Sequence, residues 1–148
     1  MMALGSRKVG CRMSFADSED LLTKEIIGLA IAVHRELGPG LLESVYEYFL
    51  AYELNKAGLK VLRQPTLPVT YGGVRFDLGF RPDLIVNDVV IIEIKTVQKL
   101  LPVHSAQLLT YLKLSSIQRG LLMNFHAHPL REGLKRLVRT EDHRPKAL

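Results

Sequence analysis

The sequence predicts an α/β domain, with a mixed, mostly antiparallel central β-sheet flanked by helices. Two amino-terminal stretches, 18–38 and 40–57, carry apolar residues at helical spacing. Short runs rich in β-branched and aromatic residues follow, separated by glycine, proline and asparagine. A third helical stretch at 104–114 divides these runs from a later apolar run at 118–125. Because 47% of the 148 residues are hydrophobic, we expect one core and one domain.

Capping and stop residues bound the first two helices. Ser18 is the expected N-cap of the first helix, and Gly38-Pro39 ends it. Its apolar residues recur at helical spacing: Leu22, Ile26, Leu29, Ala30, Val33 and Leu37. The second helix is expected from just after Gly40 to about Ala57. Its expected buried stripe is Leu42, Val45, Phe49, Leu50 and Leu54.

Three extended segments follow and are expected to form a β-meander. Residues 60–64 and Leu67–Tyr71 are predicted strands, rich in β-branched and apolar side chains. Gly72-Gly73 predicts a tight turn into a third strand over 74–81.

The stretch from Asp83 to Lys95 is expected to be a hairpin that holds three charged side chains among apolar ones. Its two apolar runs flank Asn87-Asp88, a turn-prone pair that tolerates the left-handed backbone conformation. Since strand side chains alternate, Glu93 and Lys95 point to one face and their isoleucine neighbours to the other. A three-residue loop starting at Asn87 would set Asp83 directly across from Glu93. A two-residue loop would place these carboxylates on opposite faces.

The last third contains a helix, a strand and an ambiguous segment. On the helix over 104–114, Gln107 and Tyr111 are four residues apart and face the same way. Residues 118–125 are expected to form a buried strand. Residues 130–139 fit either a helix or a strand.

Two carboxylates and an ammonium on one polar face suit the hydrolysis of a phosphodiester. The carboxylate oxygens of Asp83 and Glu93 can hold Mg²⁺, and Lys95 can orient or activate a water. The alternative is an exposed strand face on which these charges form an ordinary salt bridge.

Pro82-Asp83 followed by Glu93-x-Lys95 on a hairpin resembles the signature of the PD-(D/E)XK nuclease superfamily. The resemblance implies a restriction-endonuclease-like core, with an edge strand over 134–139. It also implies that Asp83 and Glu93 bind the divalent ion, Mg²⁺ or Mn²⁺, and that Lys95 is the catalytic lysine.

Gly40, Glu43 and Tyr46 have the spacing that names the GxxExxY protein family, a branch of that superfamily; the resemblance covers about 22–138. It implies that Glu43 joins the metal site. It also implies that Gln107 and Tyr111 lie beside the site, where they would hold the substrate or the lysine. For Glu43 the alternative is an ordinary acid in a first helical turn, and for Tyr46 a core aromatic with a hydrogen-bonded hydroxyl.

Bulk properties favour a small protein that acts on nucleic acid in the cytoplasm. The formal net charge is +5, which suits a phosphate-backbone partner, DNA or RNA, although solvated basic tails explain it equally well. Residues 1–17 are expected to be a disordered extension, 18–140 the domain, and 141–148 a basic tail. The lone Cys11 excludes an intramolecular disulfide, and neither a signal peptide nor a transmembrane helix is expected.

The sequence therefore predicts a Mg²⁺-dependent nuclease. The alternative is a non-catalytic adaptor that keeps the nuclease fold and binds nucleic acid or protein. Because the chain has no evident DNA-reading appendage, a homodimer or a partner protein could supply specificity.

Overall fold

The computed structural model describes residues 14–140. The expectations for the first thirteen residues, including Cys11, and for the basic tail at 141–148 lie outside the described residues. No helix within 14–140 is long and apolar enough to cross a membrane. The helices are α1 (Phe15–Leu37), α2 (Glu43–Lys56) and α3 (Pro102–Ser115). The strands are β1 (Val61–Arg63), β2 (Leu67–Tyr71), β3 (Val74–Phe80), β4 (Leu84–Val86), β5 (Val90–Lys95), β6 (Arg119–Asn124) and β7 (Leu134–Val138).

Five strands form the central sheet in the order β1-β4-β5-β6-β7. β5 and β6 run parallel, and the other three neighbouring pairs are antiparallel. Since parallel strands need a crossover, α3 connects β5 to β6. The predicted mixed, mostly antiparallel sheet flanked by helices is therefore confirmed.

The two faces of the sheet bury different residues of β5 because strand side chains alternate. Ile92 and Ile94 pack with α1 and α2 in the larger core cluster. Ile91 packs with Leu108 and Leu112 of α3 on the opposite face. Glu93 and Lys95 share the α3 side with Ile91, which places charged groups at the end of a strand that is otherwise buried on both faces.

The expected β-meander is wrong. β1 pairs with β4, and β2 with β3 forms a separate two-stranded sheet. β4 is fully buried, so a strand is needed on each of its edges, and β1 supplies the one that β5 does not. β3 is exposed along all but its last residue, which leaves it outside the core. For β1, burial and not order along the chain decides the partner.

The expected N-cap of α1, Ser18, is also wrong. The helix begins at Phe15 with Ser14 as the N-cap, so residues 15–17, expected in the extension, are helical. The amide of Asp17 donates to Ser14 Oγ at 3.1 Å, and the Ser14 amide donates to the Asp17 carboxylate at 3.2 Å. This reciprocal capping box gives two backbone amides at the helix start a protein partner.

The buried face of α2 differs from the expected stripe. Leu50 and Leu54 are buried as expected, but Leu42 and Phe49 are exposed, at 73% and 41%. The buried face instead includes Tyr46, Glu47 and Ala51. The helix is turned toward Tyr46 because the sheet packs against that side chain, which lies on Phe125 with ring centroids 4.5 Å apart.

The carboxy-terminal third follows the prediction closely. α3 begins two residues before the expected start, with proline at its first position. β6 is buried along nearly its whole length. The ambiguous segment divides into a short 3₁₀ turn, Leu130–Gly133, and the edge strand β7, so the strand interpretation of 134–139 is confirmed.

Candidate active site

The β4–β5 hairpin has the odd-length loop that the site requires. Val86 pairs with Val90 across a three-residue loop, in which Asn87 and Asp88 adopt left-handed φ values of 50° and 59°. Leu84 pairs with Ile92, so the next position before β4 lies opposite Glu93. Of the two loop lengths that the sequence left open, the structure has the three-residue one, and Asp83 and Glu93 are brought to the same face.

Asp83 and Glu93 are interlocked through the backbone. The Asp83 amide donates to Glu93 Oε1 at 3.0 Å, and the Ile94 amide donates to Asp83 Oδ2 at 2.8 Å. Each carboxylate is thus oriented by an amide next to the other, and one oxygen of each carboxylate has no amide partner within residues 14–140. The two carboxylates are therefore preorganised to share a ligand.

Burial makes the ionised forms of these two carboxylates costly, and the nearby positive charge does not offset that cost. Removal from water raises the pKa of Asp83 to about 6, with the charges of Glu47 and Glu43 adding to the effect. The same desolvation, reinforced by the charge of Asp83, raises the pKa of Glu93 to about 7. Lys95 opposes both shifts without cancelling them. The site therefore favours additional positive charge.

Lys95 links the carboxylates to α3. Its Nζ lies 4.0 Å from Glu93 Oε2 and donates to Gln107 Oε1 at 3.3 Å. Gln107 Nε2 in turn donates to the Tyr111 hydroxyl at 3.2 Å, and the Tyr111 ring lies against Phe80. Burial, together with the nearby carboxylates, raises the pKa of Tyr111. The structure thus brings the four residues Glu93, Lys95, Gln107 and Tyr111 into one chain of contacts, while their chemical roles stay predictions.

Glu43 stands apart from the carboxylate pair. It is exposed at the first turn of α2 and lines a cavity of about 460 Å³ together with Asp83 and Thr96. Within residues 14–140 no three histidine, cysteine, aspartate or glutamate side chains are grouped closely enough to form a metal cage. Glu43 therefore lines the same open cleft as Asp83, and its charge adds to the raised pKa of Asp83. Its part in metal binding stays a prediction.

Glu47 and Gln64 line the same cleft and were not predicted. Glu47 is 4% exposed, accepts from Gln64 Nε2 at 3.2 and 3.3 Å, and pairs with Arg63 at 3.5 Å. The backbone of Gln64 has φ 46°, an unusual value for a residue with a large side chain. The backbone amide of Gln64 donates to the Asp83 carbonyl at 2.8 Å. The sequence signal for Glu47 was its position one helical turn after Glu43. No local sequence pattern identifies Gln64 as a site residue, because Gln64 directly follows β1, which comes beside Asp83 only in the folded sheet.

Tyr46 and Gly40 shape the loop that leads into α2. The Tyr46 hydroxyl donates to the Gly38 carbonyl and accepts from the Leu41 amide at 3.1 Å. Gly40 lies between these two contacts with φ 102°, a conformation that glycine adopts without strain. The interpretation of Tyr46 as a core aromatic with a bonded hydroxyl is confirmed. The glycine and tyrosine of the GxxExxY spacing therefore fix the approach to Glu43.

Comparison with known proteins agrees with this geometry. A model of the PD-(D/E)XK nuclease superfamily matches residues 20–137, which is most of the chain and includes every residue of the cleft. The chain belongs to the PD-(D/E)XK nuclease superfamily.

A solved crystal structure, that of SSO0001, has a similar fold, with a TM-score of 0.53 at 21% sequence identity. The match covers 84% of this chain and 64% of the SSO0001 chain, so this chain spans less than two thirds of that protein's length. No curated protein matches the sequence significantly. The family model thus shows the superfamily, and the likeness to the solved structure shows the fold alone.

Proposed function

We propose that this protein is a divalent-metal-dependent nuclease that hydrolyses phosphodiester bonds in nucleic acid. The observation that carries the proposal is the pair Asp83 and Glu93, oriented by each other's strands and largely withdrawn from water, with Lys95 beside it. Uncompensated buried carboxylates are costly, so their presence in a superfamily of nucleases favours a cationic ligand between them.

The donor set fits Mg²⁺ or Mn²⁺. Among the described residues, those that line the cleft offer carboxylate oxygens and no cysteine or histidine, the pattern that hard cations prefer. Mg²⁺ commonly binds through one or two carboxylates and leaves its other positions to water and phosphate oxygens, so the absence of a third close ligand within 14–140 agrees with it. Bound at Asp83 and Glu93, the ion would lower the pKa of a water and offset charge on the phosphate. Glu43, across the cleft, would support it through water or directly.

Lys95 would orient the attacking water and stabilise charge that builds on the phosphate. The contact of Gln107 Oε1 with its Nζ restricts the lysine to the side of the sheet that carries Glu93. Tyr111 in turn positions the Gln107 amide. Gln107 and Tyr111 would therefore hold the lysine, and the exposed glutamine is also placed to contact the substrate.

The superfamily and the net charge of +5 favour nucleic acid as the substrate. Within the superfamily, we propose that the chain belongs to the GxxExxY branch, and the spacing of Gly40, Glu43 and Tyr46 supports this. DNA and RNA, single and double strands, are all candidate substrates, and cleavage of defined oligonucleotides distinguishes them.

Cleavage of labelled oligonucleotides tests the proposal. A panel of single- and double-stranded DNA and RNA is incubated with Mg²⁺ or Mn²⁺, and with a chelator as the control. Wild-type protein should cleave at least one substrate only with metal, and Asp83→Asn and Glu93→Gln should lose cleavage. Asp88→Asn is the matched control, because Asp88 is exposed at the opposite end of the same hairpin. This substitution should leave cleavage unchanged.

Failure to cleave any substrate in the panel would contradict the nuclease proposal. Salt-sensitive binding that is indifferent to metal would then favour the non-catalytic adaptor.

A further inference from the structure

A second cavity, of about 490 Å³, lies between the carboxy-terminal end of α1 and the loop after β6. Of residues 14–140, two arginines and two histidines line it and no carboxylate does: His34, Arg35, His128 and Arg131. The volume is in the range of small-molecule sites in proteins. The polar lining of this pocket, here called the basic pocket, suits an anion.

His34 presents a nitrogen to the basic pocket. The side chain is 3% exposed, and its Nε2 lies 3.1 Å from the carbonyl oxygen of Phe125. Because a carbonyl only accepts, Nε2 carries the hydrogen of this bond. Among the described residues Nδ1 has no protein partner, yet no buried side-chain nitrogen or oxygen is left unpaired. Nδ1 is therefore open to the pocket, where the His128 ring also lies, 6.0 Å from that of His34.

The two arginines of the basic pocket take part in no salt bridge with any residue of 14–140. Basic residues in the last turn of a helix offset its dipole, which accounts for His34 and Arg35. That effect does not account for His128 and Arg131, which come from a different segment and face the same cavity. Guanidinium groups match the geometry of phosphate oxygens, so phosphate is the anion that this set of donors fits best.

The basic pocket adjoins the carboxylate cleft. Gly38 lines the pocket and Leu41 lines the cleft, and the Tyr46 hydroxyl bonds to the backbone of both. Three residues of chain span at most about 11 Å, so these two lining residues of the cavities are no farther apart than that. The cleft is acidic and repels phosphate in the absence of a cation, whereas the pocket attracts it.

We propose that the basic pocket binds a phosphate group of the nucleic-acid strand that enters the carboxylate cleft, a short distance along the strand from the bond to be cleaved. The identity of the strand rests on the proposed function, while the binding of phosphate itself does not. Arg35 and Arg131 make the charged contacts, and the imidazole of His128 adds a polar one. His34 lines the wall of the pocket, where its ring reports on what binds there.

The first arm of the test uses inorganic phosphate and metal-free full-length protein. Phosphate is titrated at constant ionic strength, and the ring resonances of the histidines are followed by NMR. Wild-type protein should show saturable shifts of the His34 and His128 resonances at millimolar phosphate. Arg35→Gln/Arg131→Gln should weaken that binding at least tenfold, and circular dichroism and melting should show that it is folded.

The second arm uses a labelled oligonucleotide in a chelator, with binding read by fluorescence anisotropy at several salt concentrations. The double variant should bind about tenfold more weakly, with a salt slope smaller by about 0.7 for each single-strand phosphate that the protein no longer neutralises. Lys56→Gln/Lys113→Gln removes the same charge elsewhere: both lysines are exposed, and Lys56 is about 20 Å along α2 from Glu43. It should bind nearly as wild type does.

Three results would overturn the proposal. One is the absence of saturable histidine shifts in wild-type protein. Another is equal oligonucleotide binding by the arginine and lysine double variants. The third is arginine-dependent binding of inorganic phosphate without any effect on oligonucleotide binding, which would assign the pocket to a free phosphate ion. Failure of the nuclease proposal gives a different result. The protein would then still bind the oligonucleotide through the arginines but would not cleave it when metal is added.

Discussion

Glu93→Gln should stabilise the metal-free protein at alkaline pH while removing its response to metal. Glu93 is 4% exposed, and its carboxylate is oriented by the Asp83 amide. Glutamine keeps the acceptor oxygen and the shape of the side chain but carries no charge. The perturbation therefore removes the cost of ionising Glu93 in the folded protein and leaves the hydrogen bond in place.

The magnitude follows from the pKa. Burial raises the pKa of Glu93 from 4.5 to about 7. Because a tenfold change in proton affinity corresponds to about 1.4 kcal/mol, ionising Glu93 costs the folded state about 3 kcal/mol more than the unfolded state. A raised acid pKa means that the folded state binds the extra proton, so the free energy of unfolding falls as pH rises from about 4.5 to about 7. The variant should match wild type near pH 4.5 and exceed it by about 2–3 kcal/mol at pH 8.

Urea and thermal unfolding in a chelator, at pH 5 and pH 8, measure this difference. For a domain of this size the gain at pH 8 corresponds to a rise in Tm of about 5–10 °C. Added Mg²⁺ at pH 8 should raise the Tm of wild type and not that of Glu93→Gln. Glu25→Gln, on the exposed side of α1, is the control for loss of one charge and should change little. A difference between Glu93→Gln and wild type that is absent at pH 8, or equal at both pH values, would refute the reasoning.

Three further substitutions test other parts of the structure. Lys95→Ala should lower the rate of metal-dependent cleavage at least 100-fold, which corresponds to about 3 kcal/mol of transition-state stabilisation. Mg²⁺ should still raise the Tm of the variant. If the variant cleaves as fast as wild type, Lys95 takes no part in the chemistry. Tyr46→Phe should lower the free energy of unfolding by about 1–2 kcal/mol, because the Gly38 carbonyl and the Leu41 amide lose their partner, and an unchanged urea midpoint would contradict this. Ser116→Gly should raise the free energy of unfolding by about 0.5–1 kcal/mol, because Ser116 ends α3 with φ 60°, a left-handed conformation that glycine adopts more easily than serine. A lower Tm for the variant would show that this conformation is not strained.

Much of the site could be predicted because it is local. The alternation of side chains along β5 and the length of the loop after β4 place Asp83 opposite Glu93 through contacts only a few residues apart in the chain. Helical spacing likewise places Gln107 and Tyr111 on one face of α3, where their side chains meet. The superfamily was evident from the same residues, since its signature lies on this hairpin.

The unpredicted features depend on contacts between distant segments. β1 pairs with β4 and not with β2 because the buried β4 needs a second partner, and local propensity does not report that need. That pairing brings Gln64 beside Asp83, and Glu47 then becomes its buried partner.

The rotation of α2 is another such feature, because apolar spacing predicted a stripe through Phe49, but the hydroxyl bonds and the ring packing of Tyr46 turn a different face inward. Likewise, the two halves of the basic pocket, which end at Gly38 and begin at His128, lie far apart in the chain. The sequence by itself determined most of the helices and strands, the alternation of side chains along the hairpin and the signature residues, since these follow from backbone periodicity and turn chemistry. Only the tertiary structure decided which strands pair, which face of α2 is buried and which charges share a cavity, since burial is a property of the whole chain.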